Sequence, residues 1–395
     1  MNKVPKSELY SRISALQAHL GSTGIDGALV VQNADLFYFC GTVAQAYLFI
    51  PAVGEPLLLV RKNPQRIRQE SSLDLIIPVS HPRDVAGILS DHGYRDLKRL
   101  GMELDVLPVS HYFRYLKSLK PQAIVDISLS IQSIRSIKSG YEIDLIRQAG
   151  RLSDFMVETA RRTLREGITE VELAAAIEMA ARVRGHQGYV RMRSFNQEIY
   201  WGAVVSGPDA AEPAFIDLTQ GGRGTTLALP AGAGPRPINR HEPVLVDLAA
   251  AFEGYNADQT RTLCLGRLPE KLETAYNVSV EILQSLEAAI RPGLSAHELF
   301  AEAERICGNH GLAEHFMGYG SQKAGFCGHG IGIELDELPV ITKENKAVLS
   351  PGMVFALEPK FTFPGLGVVG VEDAFAVTET GCLRLTGAGY SYEAQ

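Results

Sequence analysis

Two stretches of this 395-residue chain repeat one another, and this internal repeat constrains the fold more than any other feature. LREGITEVELAAAIEMAARVRG matches IRPGLSAHELFAEAERICGNHG at an offset of 126 residues, with seven identities in register. Each copy begins with a capping box, Thr169 with Glu172 and Ser295 with Glu298, and each follows a long helical pattern. We therefore expect residues 136–395 to form two related helix–helix–sheet halves, with a functional site at the pseudo-twofold axis between them.

Residues 1–135 have a different pattern, in which helical and strand-like stretches alternate. The short apolar runs GALVV, YLFIPAV, EPLLLVRK and DLIIPV predict strands. This pattern predicts a separate α/β domain, and it contains no glycine-rich phosphate loop. Because fold does not imply chemistry, we expect this domain to support assembly or to shape a site.

Composition excludes several classes of protein. No stretch approaches the ~18 consecutive apolar residues of a membrane span, and the amino terminus has no apolar leader sequence. The net charge of −7 argues against a nucleic-acid partner. The five scattered cysteines form no CxxC pair and are typical of reduced thiols. These features predict a cytoplasmic protein with neither a membrane nor a nucleic acid as partner.

The stretch EPVLVDLAAAFEGYNADQTRTLCLG predicts a β-hairpin. Glu253 and Gly254 suit a two-residue turn, and that turn places Asp247 opposite Thr260. Because alternate side chains of a strand share a face, Asp247 and Asp258 lie on the same side of the hairpin. Two such carboxylates repel each other unless a cation lies between them. The pair therefore indicates either a metal site or a solvated, exposed face.

Three further ionisable residues lie on apolar stretches. His329 stands among the glycines of GHGIGIELDELP, Glu358 ends the run PGMVFALEP, and Glu372 follows GVVGV. A single buried glutamate is more often a salt-bridge partner than a ligand, but one histidine with four carboxylates favours a two-metal cluster. Oxygen-rich sites of this kind suit manganese, iron, cobalt or zinc.

These motifs, in chain order, closely resemble the ligand motifs of the pita-bread metallopeptidases, the superfamily of methionine aminopeptidase, aminopeptidase P and prolidase. The resemblance covers residues 140–395, and the N-terminal unit resembles the creatinase/prolidase N-terminal domain. It implies an α/β plus α+β fold, with a creatinase-like α/β domain at 1–135 followed by a pseudo-twofold pita-bread domain at 136–395. It also implies a homodimer in which the N-terminal domain of one subunit closes the pocket of the other.

The resemblance further implies a role for each of the five candidate ligands. Asp247 and Asp258 bind one metal, His329 binds the other, and Asp258 and Glu372 bridge the two. Glu358 completes the second site and helps to handle the proton of the attacking water. The implied reaction is hydrolysis of an amide bond in a small Xaa-Pro-type peptide by metal-activated water, with two divalent ions, manganese ahead of cobalt, zinc and iron.

Two positions depart from the family pattern. The family carries a histidine seven residues after the ligand histidine, where this chain has Asp336, and a second one in a segment where this chain has Ala214. Both histidines hydrogen-bond the substrate in the peptidases, whereas an ionised Asp336 only accepts hydrogen bonds. Asp336 is therefore a candidate acid/base or substrate contact. A metal-dependent hydrolase or lyase of a small non-peptide substrate, and a non-catalytic binding protein, remain alternatives to the peptidase.

Arginines in the segment GYVRMRSFNQE suggest how a substrate is held. If the segment is a strand, Arg191 and Arg193 share a face and are positioned to clamp a carboxylate with two parallel hydrogen bonds. Solvated surface arginines are the simpler alternative. Ala214 joins them as a candidate substrate-binding position, and Trp201 either lines a pocket or fills the core.

Overall fold

The computed structural model describes residues 3–193, 195–197, 201–216 and 218–394. Contacts divide the chain into two units, Met1–Arg135 with Arg193–Phe195, and Ser136–Met192 with Asn196–Gln395. Within the described ranges, no helix has both the length and the apolar character needed to cross a membrane.

The first unit contains the alternating helices and strands that its sequence predicts. Its helices are α1 (Lys6–Thr23), α2 (Asn33–Cys40), α3 (Pro64–Glu70), α4 (Val85–Asp91), α5 (Val109–Leu119) and α6 (Ser128–Ser136). Its strands are β1 (Gly27–Val30), β2 (Ala46–Pro51), β3 (Leu57–Val60), β4 (Ile76–Pro78), β5 (Arg99–Met102) and β6 (Ala123–Asp126). They form a mixed sheet in the order β4-β3-β2-β1-β5-β6, in which β1 is antiparallel to β2 and parallel to β5.

The second unit is built from longer helices and three sheets among the described residues. Its helices are α7 (Gly140–Thr163), α8 (Glu170–Val183), α9 (Gly207–Ala210), α10 (Glu270–Ala289) and α11 (Ala296–Asn309). Its strands are β7 (Gly202–Ser206), β8 (Val244–Phe252), β9 (Tyr255–Leu265), β10 (Gly328–Gly330), β11 (Val354–Leu357), β12 (Lys360–Phe363), β13 (Gly367–Gly370), β14 (Asp373–Val377), β15 (Cys382–Arg384) and β16 (Glu393–Ala394). The sheets run β16-β9-β8-β7, β10-β11-β14-β15 and β12-β13.

The predicted repeat is confirmed in the helices of the second unit. In α8 the Thr169 side chain accepts a hydrogen bond from the backbone N–H of Glu172, and in α11 Ser295 does the same for Glu298. Both helices have 14 residues, and each follows a long helix, α7 or α10. The capping boxes fix where these helices begin because they satisfy backbone N–H groups that have no partner within the helix.

Each pair of helices covers one sheet with its apolar side. Met156 of α7 and Ile177 of α8 share a core with Val246 of β8, and the buried Trp201 fills this same core. Ile282 of α10 packs in a second core with Phe355 of β11. The two sheets meet where β9 reaches the start of β14, and that junction carries the polar residues described next.

Candidate metal centre

The β8–β9 hairpin has the register that its turn predicts. Phe252 pairs with Tyr255 and Asp247 with Thr260, which confirms the two-residue turn. Glu253 and Gly254 have φ values of 45° and 91°, the positive values that such a turn requires. Asp247 and Asp258 are both buried, so the solvated alternative for this pair is wrong.

The other three candidate ligands come from strands of the second sheet. His329 lies at the middle of β10, opposite Ala356 of β11. Glu358 follows the last residue of β11, and Glu372 directly precedes β14. The Glu372 backbone N–H donates to the carbonyl of Thr260 at 3.1 Å, which joins this sheet to the hairpin. Residues that are far apart in sequence are thereby brought to one buried position.

Four of the five predicted ligands surround one point. The ligand atoms of Asp258, His329 and Glu372 all lie within 4.8 Å of one another. His329 Nε2 is 3.7 Å from Asp258 Oδ2, 3.7 Å from Glu358 Oε1 and 3.8 Å from Glu372 Oε1. Ligand atoms roughly 2.0–2.2 Å from a shared ion would lie slightly closer together than this, so the observed spacing fits a common ion.

The polar contacts around this point also fit a cation. Glu372 Oε1 is buried and has no hydrogen-bond partner among the described residues, which is costly unless a cation or a donor reaches it. His329 Nδ1 lies 3.1 Å from the carbonyl oxygen of Leu335 and 3.2 Å from that of Gly330. Because carbonyls only accept, Nδ1 carries a proton, and Nε2 is the nitrogen that faces the centre and would bind an ion once its own proton is displaced.

Asp336 takes a place beside His329. Its Oδ1 lies 3.3 Å from His329 Nδ1, and its side chain is half exposed. A carboxylate at this position orients an imidazole and increases its basicity. Asp336, which replaces a family histidine in the sequence, therefore contacts His329 at Nδ1, the ring nitrogen that faces away from the centre.

Lys360 is the functional residue that the sequence analysis missed. Its ammonium donates to Asp247 Oδ2 at 3.0 Å, Glu358 Oε2 at 2.8 Å and Glu372 Oε2 at 3.1 Å. Its side chain is 2% exposed. Asp247 Oδ2 also accepts from Gln220 Nε2. A signal was available, because alternation puts Lys360 on the same side of the chain as Glu358, at the start of a short strand with two phenylalanines.

The burial of so many carboxylates changes their protonation. Burial, reinforced by neighbouring carboxylates, raises the pKa of Glu372 to about 7 and that of Asp258 well above its ordinary value. Burial by itself lowers the pKa of His329, but Asp336 and the carboxylates of the centre outweigh it and raise that pKa to about 10. A cation bound at the centre would lower the pKa values of these acids.

A buried arginine fixes the strand that carries Glu372. Arg261 is fully buried, pairs with Asp373 at 2.8 Å and donates to the carbonyl of Glu372 at 2.7 Å. Thr260, which the hairpin register puts on the ligand face, donates to Glu372 Oε2 at 2.7 Å. Hydrogen bonds from two residues of the β8–β9 hairpin thus fix both the side chain and the backbone of Glu372.

A cavity of about 520 Å³, a size typical of small-molecule sites, is lined by none of the five candidate ligands. Its wall meets the centre through Thr219, whose hydroxyl donates to Gln220 and whose carbonyl accepts from Thr362. Ala214, a candidate substrate position, lines the cavity. The lining also includes Pro208, Pro213, Phe215, Ile216, Tyr319, Lys323 and Pro364.

The predicted arginine clamp is wrong. Residues 188–193 form no strand, so the shared face on which the clamp depends does not exist. Arg193 pairs with Asp35 at 2.9 Å and Asp105 at 2.6 Å within the first unit. Arg191 donates to the hydroxyl of Tyr189 at 2.7 Å. Arg193 is mostly buried, which also excludes the solvated alternative for that residue.

Comparisons with known proteins agree with this geometry. The model of metallopeptidase family M24 matches residues 144–379, and that of the creatinase/prolidase N-terminal domain matches residues 12–137. An Xaa-Pro dipeptidase of Pyrococcus horikoshii is 28% identical over 388 residues, covering 96% of this chain and 97% of the relative. A probable dipeptidase of Mycobacterium tuberculosis is 28% identical over 395 residues, covering 96% and 95%.

Solved structures show the same architecture over the whole chain. The prolidase of Pyrococcus horikoshii superposes with a TM-score of 0.82 at 25% identity, covering 97% of this chain and 99% of that one. The prolidase of Pyrococcus furiosus gives a TM-score of 0.79 at 26% identity, covering 94% and 99%. The expected fold, a creatinase-like α/β domain followed by a pita-bread domain, is confirmed. Since the larger family model spans more than half of the residues, the chain belongs to metallopeptidase family M24.

Proposed function

We propose that this protein hydrolyses the amide bond of a small Xaa-Pro-type peptide with metal-activated water. The observation that carries the proposal is the convergence of Asp258, His329 and Glu372 around one point, with a buried Glu372 oxygen that lacks a partner among the described residues. The relatives named above as dipeptidases and prolidases support the choice of a peptide.

The residues present fit a divalent ion held by Asp258 Oδ2, His329 Nε2 and Glu372 Oε1, with Glu358 Oε1 adjacent. A divalent ion bound there lowers the pKa of its water and polarises the substrate carbonyl. We propose that Glu358 accepts the proton that the water loses. Manganese is our first candidate for the ion, followed by cobalt, zinc and iron. The family resemblance implies a second ion at Asp247, whose Oδ2 accepts a hydrogen bond from Lys360 in this structure.

The cavity is the proposed position of a small, proline-containing substrate. Phe215, Ile216 and Pro364 offer apolar surface for a pyrrolidine ring within a lining that is otherwise largely polar. Lys323 supplies a positive charge in the lining for the terminal carboxylate of a dipeptide. This residue replaces the two arginines of the predicted clamp in our proposal.

Hydrolysis or elimination of a small non-peptide substrate is the second candidate. It is favoured by the two replaced histidines, because Ala214 presents only a methyl group to the cavity and Asp336 contacts His329. Neither position offers the imidazole donor that holds the peptide carbonyl in the family. Stabilisation of the developing oxyanion then needs other donors, or a substrate that does not require them.

We also propose that the protein is a cytoplasmic homodimer. The five cysteines are free and four of them are buried, as expected where thiols stay reduced. Light scattering of the purified protein measures the assembly directly. A mass of one chain across a range of concentrations contradicts the homodimer.

The function is tested by hydrolysis of Xaa-Pro and matched Xaa-Ala dipeptides after reconstitution of the metal-free protein with Mn²⁺, Co²⁺, Zn²⁺ or Fe²⁺. We expect metal-dependent turnover of the Xaa-Pro substrates, its loss in Glu372→Gln and its retention in the exposed control Glu344→Gln. A protein that binds metal but cleaves none of these peptides excludes the peptidase and favours the non-peptide candidate.

A further inference from the structure

The oxygens of the carboxylate cluster are divided between two positions. Asp258 Oδ2, Glu358 Oε1 and Glu372 Oε1 face His329 Nε2 at 3.7–3.8 Å. The remaining oxygens of Glu358 and Glu372, together with Asp247 Oδ2, receive the Lys360 ammonium. Both glutamates therefore bridge the two positions, one oxygen to each.

The ammonium of Lys360 is well matched to its position. It has three N–H donors, and three carboxylates accept them at 2.8–3.1 Å. A second divalent ion needs the lone pairs of these same oxygens. It also meets the positive charge of the ammonium at close range in a buried site, where such repulsion is strong.

The backbone around Lys360 holds its side chain in this place. Lys360 pairs with Gly370 across the β12–β13 hairpin. A Cβ atom at position 370 would lie 2.7 Å from Lys360 Cγ, so glycine there leaves the space that the lysine stem fills. On the other side, the N–H of Met317 donates to the Lys360 carbonyl at 2.9 Å.

We propose that Lys360 replaces one of the two metal ions, so that this centre binds a single divalent ion at Asp258, His329 and Glu372. The lysine acts as a positioning residue, because it orients Glu358 and Glu372 and neutralises part of their charge. This inference rests on the metal site of the proposed function, and it is independent of the substrate. It replaces the two-ion centre, with Asp247 as a ligand, that the family resemblance implies.

Metal stoichiometry tests the proposal without an activity assay. Metal-free protein is dialysed to equilibrium against Co²⁺ or Mn²⁺, and bound metal per chain is measured by inductively coupled plasma mass spectrometry. We expect one equivalent for the unaltered chain, two for Lys360→Ala, and one for the exposed control Lys343→Ala. Two equivalents in the unaltered chain, or one in a folded Lys360→Ala variant, overturn the proposal.

A second pair of variants keeps the test decisive if Lys360→Ala does not fold. Asp247→Asn is expected to retain the single equivalent, whereas Asp258→Asn loses it. Loss of the ion in Asp247→Asn overturns the proposed arrangement. Peptidase activity with two bound ions refutes this inference alone, one bound ion without peptidase activity refutes the proposed substrate alone, and no bound ion refutes both.

Discussion

The two ends of the carboxylate cluster share Glu358 and Glu372 but differ in the cation that each is built to receive. At the His329 end, Nε2 of the imidazole and an oxygen without a hydrogen-bond partner among the described residues face the position proposed for an ion from solution. At the other end, the ammonium of Lys360 is part of the chain and satisfies three carboxylates. In our proposal the His329 end serves catalysis, because an exchangeable ion brings its own water. The Lys360 end only positions the carboxylates, because a lysine supplies charge and hydrogen bonds but no water.

The largest effect on metal binding and turnover is expected from a substitution at the His329 end of the carboxylate cluster. His329→Ala removes the nitrogen ligand, and we expect loss of tight metal binding with a fall in turnover on the order of a thousandfold or more. Dialysis with metal analysis and steady-state kinetics measure the two effects. The exposed His310→Ala should behave like the unaltered protein. Unchanged metal content in His329→Ala would show that the ion lies elsewhere.

A substitution of Arg261, which holds the strand beside Glu372, is expected to lower the free energy of unfolding. Arg261→Met removes the closer of the two cations that pair with buried Asp373, leaving Arg384 at 3.8 Å, and it leaves the Glu372 carbonyl without the Arg261 donor. Removing one partner of a buried pair costs about 3–5 kcal/mol. Urea denaturation followed by circular dichroism measures the loss, with exposed Arg305→Met as the control. A change below about 1 kcal/mol would contradict the role of Arg261 in holding β14.

The hairpin shows how much of the centre can be predicted from sequence. A two-residue turn at Glu253 and Gly254 fixes the register, and register with alternation fixes the face, so the placement of Asp247 relative to Asp258 follows from local rules. His329, Glu358 and Glu372 could be nominated from apolar runs and family motifs, but not placed, because their convergence depends on contacts between distant strands.

Lys360 and Arg193 show where sequence reasoning fails, for different reasons. Lys360 was identifiable in principle, since a lysine that alternates with a buried glutamate on an apolar strand needs an anionic partner. Arg193 was not, because its partners Asp35 and Asp105 lie 158 and 88 residues away along the chain. The clamp also assumed that the segment GYVRMRSFNQE alternates as a strand does, whereas its residues 188–193 lie in no strand.

A third prediction extends the comparison to a buried acid in the first unit. Asp35 pairs with Arg135 and Arg193, whereas Glu103 Oε2 has no hydrogen-bond partner among the described residues. Burial, with the charge of Asp35, raises the pKa of Glu103 to about 7. The folded chain therefore keeps this proton after the unfolded chain has lost it, and stability falls as pH rises from about 4.5 to 7.

Glu103→Gln should remove this component, leaving a variant that is less sensitive to pH across that window by about 1–3 kcal/mol. Urea denaturation midpoints at pH 4.5, 5.5, 6.5 and 7.5 provide the measurement, and exposed Glu344→Gln serves as the control. Identical pH dependence in Glu103→Gln and the unaltered protein would mean that Glu103 titrates normally.

The smallest effect is expected from a substitution of Asp336, which tests how the neighbour of His329 influences metal affinity. Asp336→Asn keeps the shape of the side chain but removes the charge beside His329 Nδ1. We expect metal affinity to fall about tenfold, because partners of ligand histidines tune the ligand. Competition with a chelator measures the affinity, and exposed Asp91→Asn is the control. Unchanged affinity with lost turnover would instead assign Asp336 to the substrate.

The space that Gly370 leaves for the Lys360 stem has an evolutionary consequence. A larger residue does not fit at position 370, because a Cβ atom there would also lie 2.8 Å from the Pro359 carbonyl oxygen and from Lys360 Cα, so we expect glycine at this position in relatives that carry the lysine. The run Glu358-Pro359-Lys360 then becomes a diagnostic signature that can be recognised in a bare sequence. Relatives with lysine at the position of Lys360 and glycine at the position of Gly370 form a subgroup. We predict that each chain of this subgroup binds one metal ion, where other members of the family bind two.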